Sequence, residues 1–355
     1  MTPLPSGANP VKVMVVDDSA FMRFTITKHL NESPGLTVVG TARDGQEALE
    51  LIPKLKPDVV TLDVEMPNMD GLSTLREIMS RHPLPVVMLS SLTSEGALET
   101  VRALTLGAVD FAAKPDNKAN MASILEDVAI KVLRASKAKV WQTSNRPLIS
   151  EVALSQKALE KKVRPLGSKD RIVVIGSSTG GPRALNTVVP MLKANIPAAF
   201  VIVQHMPAGF TRSLSDRLNS TSSLYVKEAA PGDVLEVGKA LFAPGGFHML
   251  FDESDQITLN QNPPVHGVRP AVDVTLLSIA QRYGDRVVAA ILTGMGSDGT
   301  TGALLVHNSG GWVISEAEES CVVYGMPRSV FEAGASNEVV PLSKVADAIC
   351  AAVGK

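Results

Sequence analysis

The sequence predicts an α/β protein built as two doubly wound, mostly parallel sheets in succession with a linker between them. Three observations predict it. Short runs rich in valine and isoleucine alternate with amphipathic stretches over residues 11–138, and again from residue 171 onward. Strands buried on both faces read as such continuous apolar runs. Most runs stop at a polar or glycine-rich turn, where a parallel strand passes into its crossover helix. Between the two alternations, over 139–170, the composition shifts to Ser, Gln, Lys and Pro, which marks a linker.

In the first module Val11–Val16, bounded by Pro10 and by Asp17-Asp18, is the opening strand. Phe21, Phe24, Ile26 and Leu30 fit one side of the next helix only loosely. Leu36–Val39 is the second strand, and Ala48, Leu49, Ile52 and Leu55 trace an amphipathic helix. Val59–Leu62, Val86–Leu89 and Val109–Ala112 supply the other three strands. Leu72, Leu75, Ile78 and Met79 mark the helix after the third. Helices over Ala97–Leu106 and Asn120–Ala138 complete the module. Residues 141–170 carry six basic side chains against three acidic ones. This reads as a solvated hinge with a short helix over Val152–Lys161, a nucleic-acid tether being the alternative. The second module opens with Ile172–Ile175 and continues through Ala199–Val203 and Val287–Leu292. From Tyr225 to Gln261, short segments punctuated by PGD, PGG and DESD predict a strand-rich insertion.

Composition narrows the function. A chain of 355 residues suits two domains or more. Aromatic residues are 4%, too few for base-stacking platforms, and a net charge of −2 gives no field to draw in DNA or a membrane surface. Cys321 and Cys350 make no disulfide or metal framework. No apolar run approaches membrane-spanning length, and MTPLPSGANP has no signal-peptide core. The expectation is a cytoplasmic protein with no nucleic-acid partner and no membrane insertion.

In a doubly wound sheet, ligands gather at the carboxyl ends of the strands. Here those ends carry Asp17-Asp18, Asp63, Ser90-Ser91 and Lys114-Pro115. Three carboxylates in one crevice repel one another unless a cation sits among them, and an all-oxygen set with room for water and phosphate suits Mg²⁺. A lysine and a hydroxyl beside it can hold phosphoryl oxygens. The set reads as a site for reversible phosphorylation of an aspartate; helix capping alone is the simpler reading of any single member. VMVVDDSAFMR, LDVEMPNMDG, VVMLSS and DFAAKP resemble the receiver domain of bacterial response regulators over 11–138. The resemblance implies Asp63 as phospho-acceptor; Asp17, Asp18 and Asp63 as the Mg²⁺ set; Lys114 as phosphate partner; Ser90 and Phe111 as switch residues; and a cis bond before Pro115. It also implies a cognate histidine kinase as phosphodonor.

In the second module, Ile172–Ile175 runs into GSSTGGP, which fits the G-x-S-x-G elbow. Flanking glycines let backbone pass close to a nucleophile, and the next helix N-terminus favours a developing oxyanion. A phosphate-binding loop or a mere packing turn would use the same glycines. The other strand ends add Gln204-His205 and Thr293-Gly294-Met295-Gly296-Ser297-Asp298. A serine, a histidine and an aspartate thus each follow a parallel strand, the set needed for acyl transfer. Their chain order differs from that of α/β-hydrolases. His248 and His266 are rival bases without a strand to hold them, and Asp273 is the rival carboxylate. Asp298 also suits the N-cap of a helix over Thr300–His307.

VIGSSTGGPRAL, QHMPAGFTRSLSDRLN, APGGFHM, VRPAVDV, ILTGMGSDG and EESCVVYGMPRSV are similar to the catalytic domain of the chemotaxis receptor methylesterases. With the receiver at 11–138, the linker at 139–170 and this domain at 171–355, the resemblance covers nearly the whole chain. It implies a phosphorylation-regulated serine esterase acting on methylated chemoreceptor helices, with glutaminase activity on the same receptors. It implies Ser178 as nucleophile, His205 as base and Asp298 as its orienter, with Thr179 and Met295 in the oxyanion region. It implies no cofactor for the ester hydrolysis.

Overall fold

The computed structural model describes residues 9–91, 93–114, 121–140 and 161–355. Pro115 and its expected cis bond, and residues 152–160 of the expected linker helix, lie outside the described residues. The chain separates into two compact units, divided between Pro147 and Leu148.

The first unit alternates β1 (Val11–Val16), α1 (Ala20–Glu32), β2 (Leu36–Ala42), α2 (Gly45–Leu55), β3 (Val59–Asp63), α3 (Gly71–Arg81), β4 (Val86–Ser90), α4 (Ser94–Leu106), β5 (Asp110–Ala113) and α5 (Met121–Ala135). Its five strands form one parallel sheet in the order β2-β1-β3-β4-β5. Every residue of β3 and β4 is buried, which is why both read as unbroken apolar runs. Four helices begin where a short polar side chain accepts a backbone N–H: Ser19 from Met22, Asp44 from Glu47, Asp70 from Ser73, and Thr93 from Gly96. The loose apolar side of α1 has a plain cause. Ile26 and Leu30 are buried, whereas Phe21 and Phe24 are 60% and 69% exposed.

The second unit runs β6 (Arg164–Pro165), β7 (Arg171–Ser177), α6 (Gly181–Val188), β8 (Ala198–Gln204), α7 (Phe210–Thr221), β9 (Tyr225–Glu228), β10 (Glu236–Val237), β11 (Lys239–Phe242), β12 (His248–Phe251), β13 (Ile257–Asn260), α8 (Val272–Tyr283), β14 (Val287–Ile291), α9 (Thr300–Asn308), β15 (Trp312–Glu316), α10 (Met326–Glu332), β16 (Glu338–Val340) and α11 (Leu342–Val353). Seven strands make a parallel sheet in the order β16-β15-β14-β7-β8-β11-β9. The first long strand, β7, lies at its centre, so the chain winds outward in both directions from it. The strand-rich segment divides. β9 and β11 join the main sheet, β12 and β13 form a separate hairpin, and β10 pairs with β6. Strands β15 and β16 extend the sheet beyond the last strand that the sequence reading assigns.

The second unit also takes in residues assigned above to the linker. Lys161 donates to the Asn219 backbone and side-chain oxygens, Arg164 pairs with Asp170 at 2.6 and 2.8 Å, and Arg164–Pro165 is hydrogen-bonded to β10. The core is the interleaved Ile, Val and Ala of β7, β8 and β14, covered by Val272, Leu276 and Ile279 of α8 and by Ala303 and Val306 of α9.

Candidate active site and carboxylate pocket

The ends of β1, β3, β4 and β5 bring Asp17, Asp63, Ser90 and Lys114 to one edge of the first sheet. One oxygen from each of Asp17, Asp18 and Asp63 falls within 4.8 Å of the others. Asp17 and Asp63 are buried and Asp18 is exposed. Lys114 Nζ lies 2.5 Å from Asp63 Oδ2 and 3.1 Å from Asp17 Oδ2. Among the described residues these two oxygens accept no hydrogen bond beyond that ion pairing. Burial, reinforced by the neighbouring Asp17 charge, raises the Asp63 pKa to about 6 even though Lys114 pulls it down. Burial depresses the Lys114 pKa, but its hydrogen bonds and charge contacts with Asp63 and Asp17 outweigh that and raise it. Among the described residues, Lys114 faces the three carboxylates, whose hard oxygens are a donor set that fits Mg²⁺. Ser90 is buried and donates to the Gly96 and Ser91 carbonyls. Phe111 is buried at 3% exposure, with Lys131 Nζ 5.3 Å from its ring centroid.

In the second unit the turn after β7 is fixed from both sides. Ser178 N–H donates to the Thr293 carbonyl at the end of β14, at 3.0 Å. On the other side His205 N–H donates to the Ser177 carbonyl. Gln204 Nε2 donates to the carbonyls of Ser178 and His205, at 2.9 and 3.0 Å. The strand extends two residues past its expected end. Ser177 is therefore a buried strand residue whose hydroxyl donates to Gln204 Oε1 at 2.7 Å. Gly180 closes the turn at φ +80°, a backbone state that costs glycine nothing, and α6 starts behind it with Pro182 in its first turn.

His205 Nε2 lies 2.6 Å from Asp298 Oδ2. Its Nδ1 makes no hydrogen bond among the described residues, nor does Ser178 Oγ. Asp298 also suits a cap of the helix that follows it by position, but that cap is Gly299. Its carboxylate instead accepts the N–H groups of Val272 and Asp273, at 2.6 and 2.9 Å, at the start of α8. Asp273 in turn accepts the Gly302 N–H of α9 at 2.7 Å. Asp273 of α8 thus serves the start of α9, and Asp298, two residues ahead of α9, serves the start of α8. Burial raises the Asp298 pKa, but the His205 contact and the two backbone donors outweigh it and hold the carboxyl below the usual aspartate value.

The rival residues separate. His248 stands in β12 after all, but it is buried at 1% exposure with Nε2 3.1 Å from the Pro263 carbonyl. His266, at φ +53°, reaches Asp273 at 2.9 Å and comes within 3.9 Å of Asp298. It therefore borders the site, although no strand carries it. On the far side of Ser178, Gly294 packs so closely that a Cβ there would lie 2.8 Å from Ser178 Cβ and 2.4 Å from Met326 Sδ. That packing brings the half-exposed Met295 next to the turn that carries Ser178. Thr293 Oγ1 donates to the Thr179 carbonyl at 3.0 Å, and its N–H donates to Glu316 Oε2 at 2.8 Å. Nothing in the sequence marks Glu316 or Gln204 for a role in the site, since neither stands in a nucleophile or base position of a motif.

Comparison with known proteins joins the two units. Residues 13–126 match the family model Response regulator receiver domain, and residues 173–349 match CheB methylesterase. The chain is therefore a response regulator whose second unit is a hydrolase. The protein-glutamate methylesterase/protein-glutamine glutaminase of Symbiobacterium thermophilum is 52% identical, over 98% of this chain and 98% of its own. That of Pyrococcus horikoshii is 44% identical over 99% of this chain and 95% of its own. The chain belongs to this family. The crystal structure of the Thermotoga maritima CheB methylesterase catalytic domain shares 48% identity, covering 51% of this chain and 98% of that one, with a TM-score of 0.50.

Proposed function

We propose that the chain removes methyl esters from glutamate residues of chemotaxis receptors and deamidates receptor glutamines, under control of phosphorylation at Asp63. The observation that carries this reading is the convergence of three strand ends: Ser178 is hydrogen-bonded by backbone to β14, while His205 at the end of β8 has Asp298 2.6 Å from Nε2. With Nε2 committed to Asp298, Nδ1 is the nitrogen that faces the chemistry. Ser178 Oγ attacks the γ-carbonyl carbon and His205 Nδ1 takes its proton. The carbonyl π electrons move onto oxygen, where the backbone N–H groups of Thr179 and Met295 receive them. Collapse breaks the C–OCH₃ bond, and the His205 proton leaves on methanol. Water then attacks the acyl-enzyme with His205 as base, releasing the glutamate side chain and restoring Ser178. A glutamine amide follows the same course and releases ammonia. Hydrogen bonds loose in a free enzyme tighten when substrate is bound, which accommodates the unpaired Ser178 and His205 atoms.

Asp17, Asp18 and Asp63 would hold Mg²⁺, which offsets charge repulsion when a phosphoryl group arrives from a histidine kinase. Lys114 pairs with the phosphoryl oxygens, and Ser90 and Phe111 change position with them. The methylated substrate is a receptor's cytoplasmic helix, so the protein works in the cytoplasm; among the described residues no helix is long and apolar enough to cross a membrane. The test is methanol release from a methyl-labelled receptor helix. The wild type should release it, and a folded Ser178→Ala variant should not. Release by that variant would move the nucleophile elsewhere.

A further inference from the structure

Glu316 ends β15, one strand removed from the nucleophile strand, and is fully buried. A buried carboxylate is costly unless its oxygens are satisfied. Here Oε2 accepts the Thr293 N–H at 2.8 Å and Oε1 accepts the Ser320 hydroxyl at 2.9 Å. Burial pushes its pKa up, opposed by these donors and by the charge of Arg183, itself largely buried in the first turn of α6. Nothing in the proposed chemistry uses this group directly.

Its partner explains where it acts. Thr293 is the junction of the site. Its carbonyl accepts the Ser178 N–H, and its hydroxyl donates to the Thr179 carbonyl and accepts the Val323 N–H at 3.0 Å. The next residue, Gly294, donates to the Val323 carbonyl and accepts from Gly325 and Met326, so the backbone leading to Met295 is pinned on both sides. We infer that Glu316 is a positioning residue for the hydrolysis: its carboxylate fixes Thr293, and through Thr293 it sets the Met295 amide against Ser178. The role rests on the esterase reading above. A donor shifted from the developing oxyanion acts on the transition state and leaves ground-state binding alone, so the effect falls on kcat and not on KM.

The experiment uses the full-length chain with a methyl-labelled receptor helix, and separately the rate at which a fluorophosphonate labels Ser178. Glu316→Ala should lower kcat about 100-fold, the scale of losing one oxyanion donor, with KM within about twofold. Labelling should slow in parallel. Glu316→Gln should recover to within about fivefold of wild type, because its amide oxygen can still accept from Thr293 while Ser320 turns round to accept from its nitrogen. Circular dichroism establishes that the variants are folded. Unchanged kcat in folded Glu316→Ala overturns the inference, as does a loss confined to KM or a Gln variant as slow as the Ala one. Should Glu316→Ala not fold, Ser320→Ala decides: it frees one carboxylate oxygen, and an unchanged kcat there overturns the inference. A wild type that releases no methanol, yet is labelled far faster than Glu316→Ala, would sink the substrate reading and leave Glu316 in its role.

Discussion

Asp298→Asn tests the shared capping and the chemistry at once. In the wild type Oδ2 takes both His205 Nε2 and the Val272 N–H at 2.6 Å, and Oδ1 takes the Asp273 N–H at 2.9 Å. Asparagine has one acceptor oxygen, so in either orientation its NH₂ confronts a buried backbone N–H. An unsatisfied buried donor costs about 1–3 kcal/mol. At about 2–4 °C per kcal/mol for a unit of this size, Tm should fall by about 2–12 °C. Catalysis should fall further. With the amide oxygen toward His205 the tautomer survives, but the imidazolium formed in the reaction loses its counter-charge. At about 4 Å and an effective dielectric of about 20, that interaction is worth about 4 kcal/mol, or about 10³-fold in kcat. The reverse orientation would also force the proton onto Nδ1, where it blocks proton transfer from serine, and the loss approaches about 10⁴-fold. Because the Asp298 pKa is depressed in the fold, its stabilising effect is present above its unfolded value of 3.8 and is lost as the pH falls below it. The Tm gap between wild type and variant should therefore close in acid. Methanol release and thermal melts across pH measure both effects. A kcat within tenfold of wild type, or an unchanged Tm at pH 7, would refute the reasoning.

Two further predictions concern the other titratable groups. Asp63 has a pKa raised to about 6, so the folded state binds its proton more tightly than the unfolded chain does, and the group's contribution to stability declines as pH rises from about 4 to about 6. Asp63→Asn should therefore raise Tm at pH 7 and above, with the gain vanishing below about pH 4; a gain that is equal at all pH values would contradict the burial argument. Among the histidines, His205→Ala should abolish turnover, and His248→Ala should lower Tm with kcat within about threefold. His266→Ala should fall between them, because it touches Asp273 and approaches Asp298. Equal kcat losses at His205 and His248, measured side by side, would remove His205 from the base position.

The elements that the sequence revealed best are those whose burial is uniform. β3, β4, β8 and β14 are buried at every residue, and β1 and β7 beyond their first one or two, so each reads as an apolar run, and their ends mark the site by the topology of parallel sheets. The place of Ser178, His205, Asp63 and Lys114 at or just past strand ends is legible for that reason. What the sequence hides is partnership across long separations. Asp298 precedes a helix with good capping spacing, yet its carboxylate serves α8 instead. His266 reaches the site from a loop through a positive φ that no local pattern announces. Glu316 ends a five-residue strand whose apolar run is only Trp312, Val313 and Ile314, too short to assign, and its worth lies in the Thr293 N–H just past the end of the neighbouring strand. The sequence shows that 225–261 holds short strands, but not which of them enter the main sheet, since that is decided by what covers them.

The place of β7 at the middle of its sheet has a consequence for the order in which the protein matures during synthesis. The first unit's pocket is complete once Lys114 has left the ribosome, because all its strands precede it and pair with near neighbours. The hydrolase has no such early stage. β7 gains its second neighbour only with β14, His205 waits 93 residues for Asp298, and Thr293 waits 23 for Glu316. Contacts of such separation form late and slowly, and domains fold as units from the N-terminus. A growing chain can therefore carry a finished phosphorylation switch well before it carries an esterase for that switch to govern.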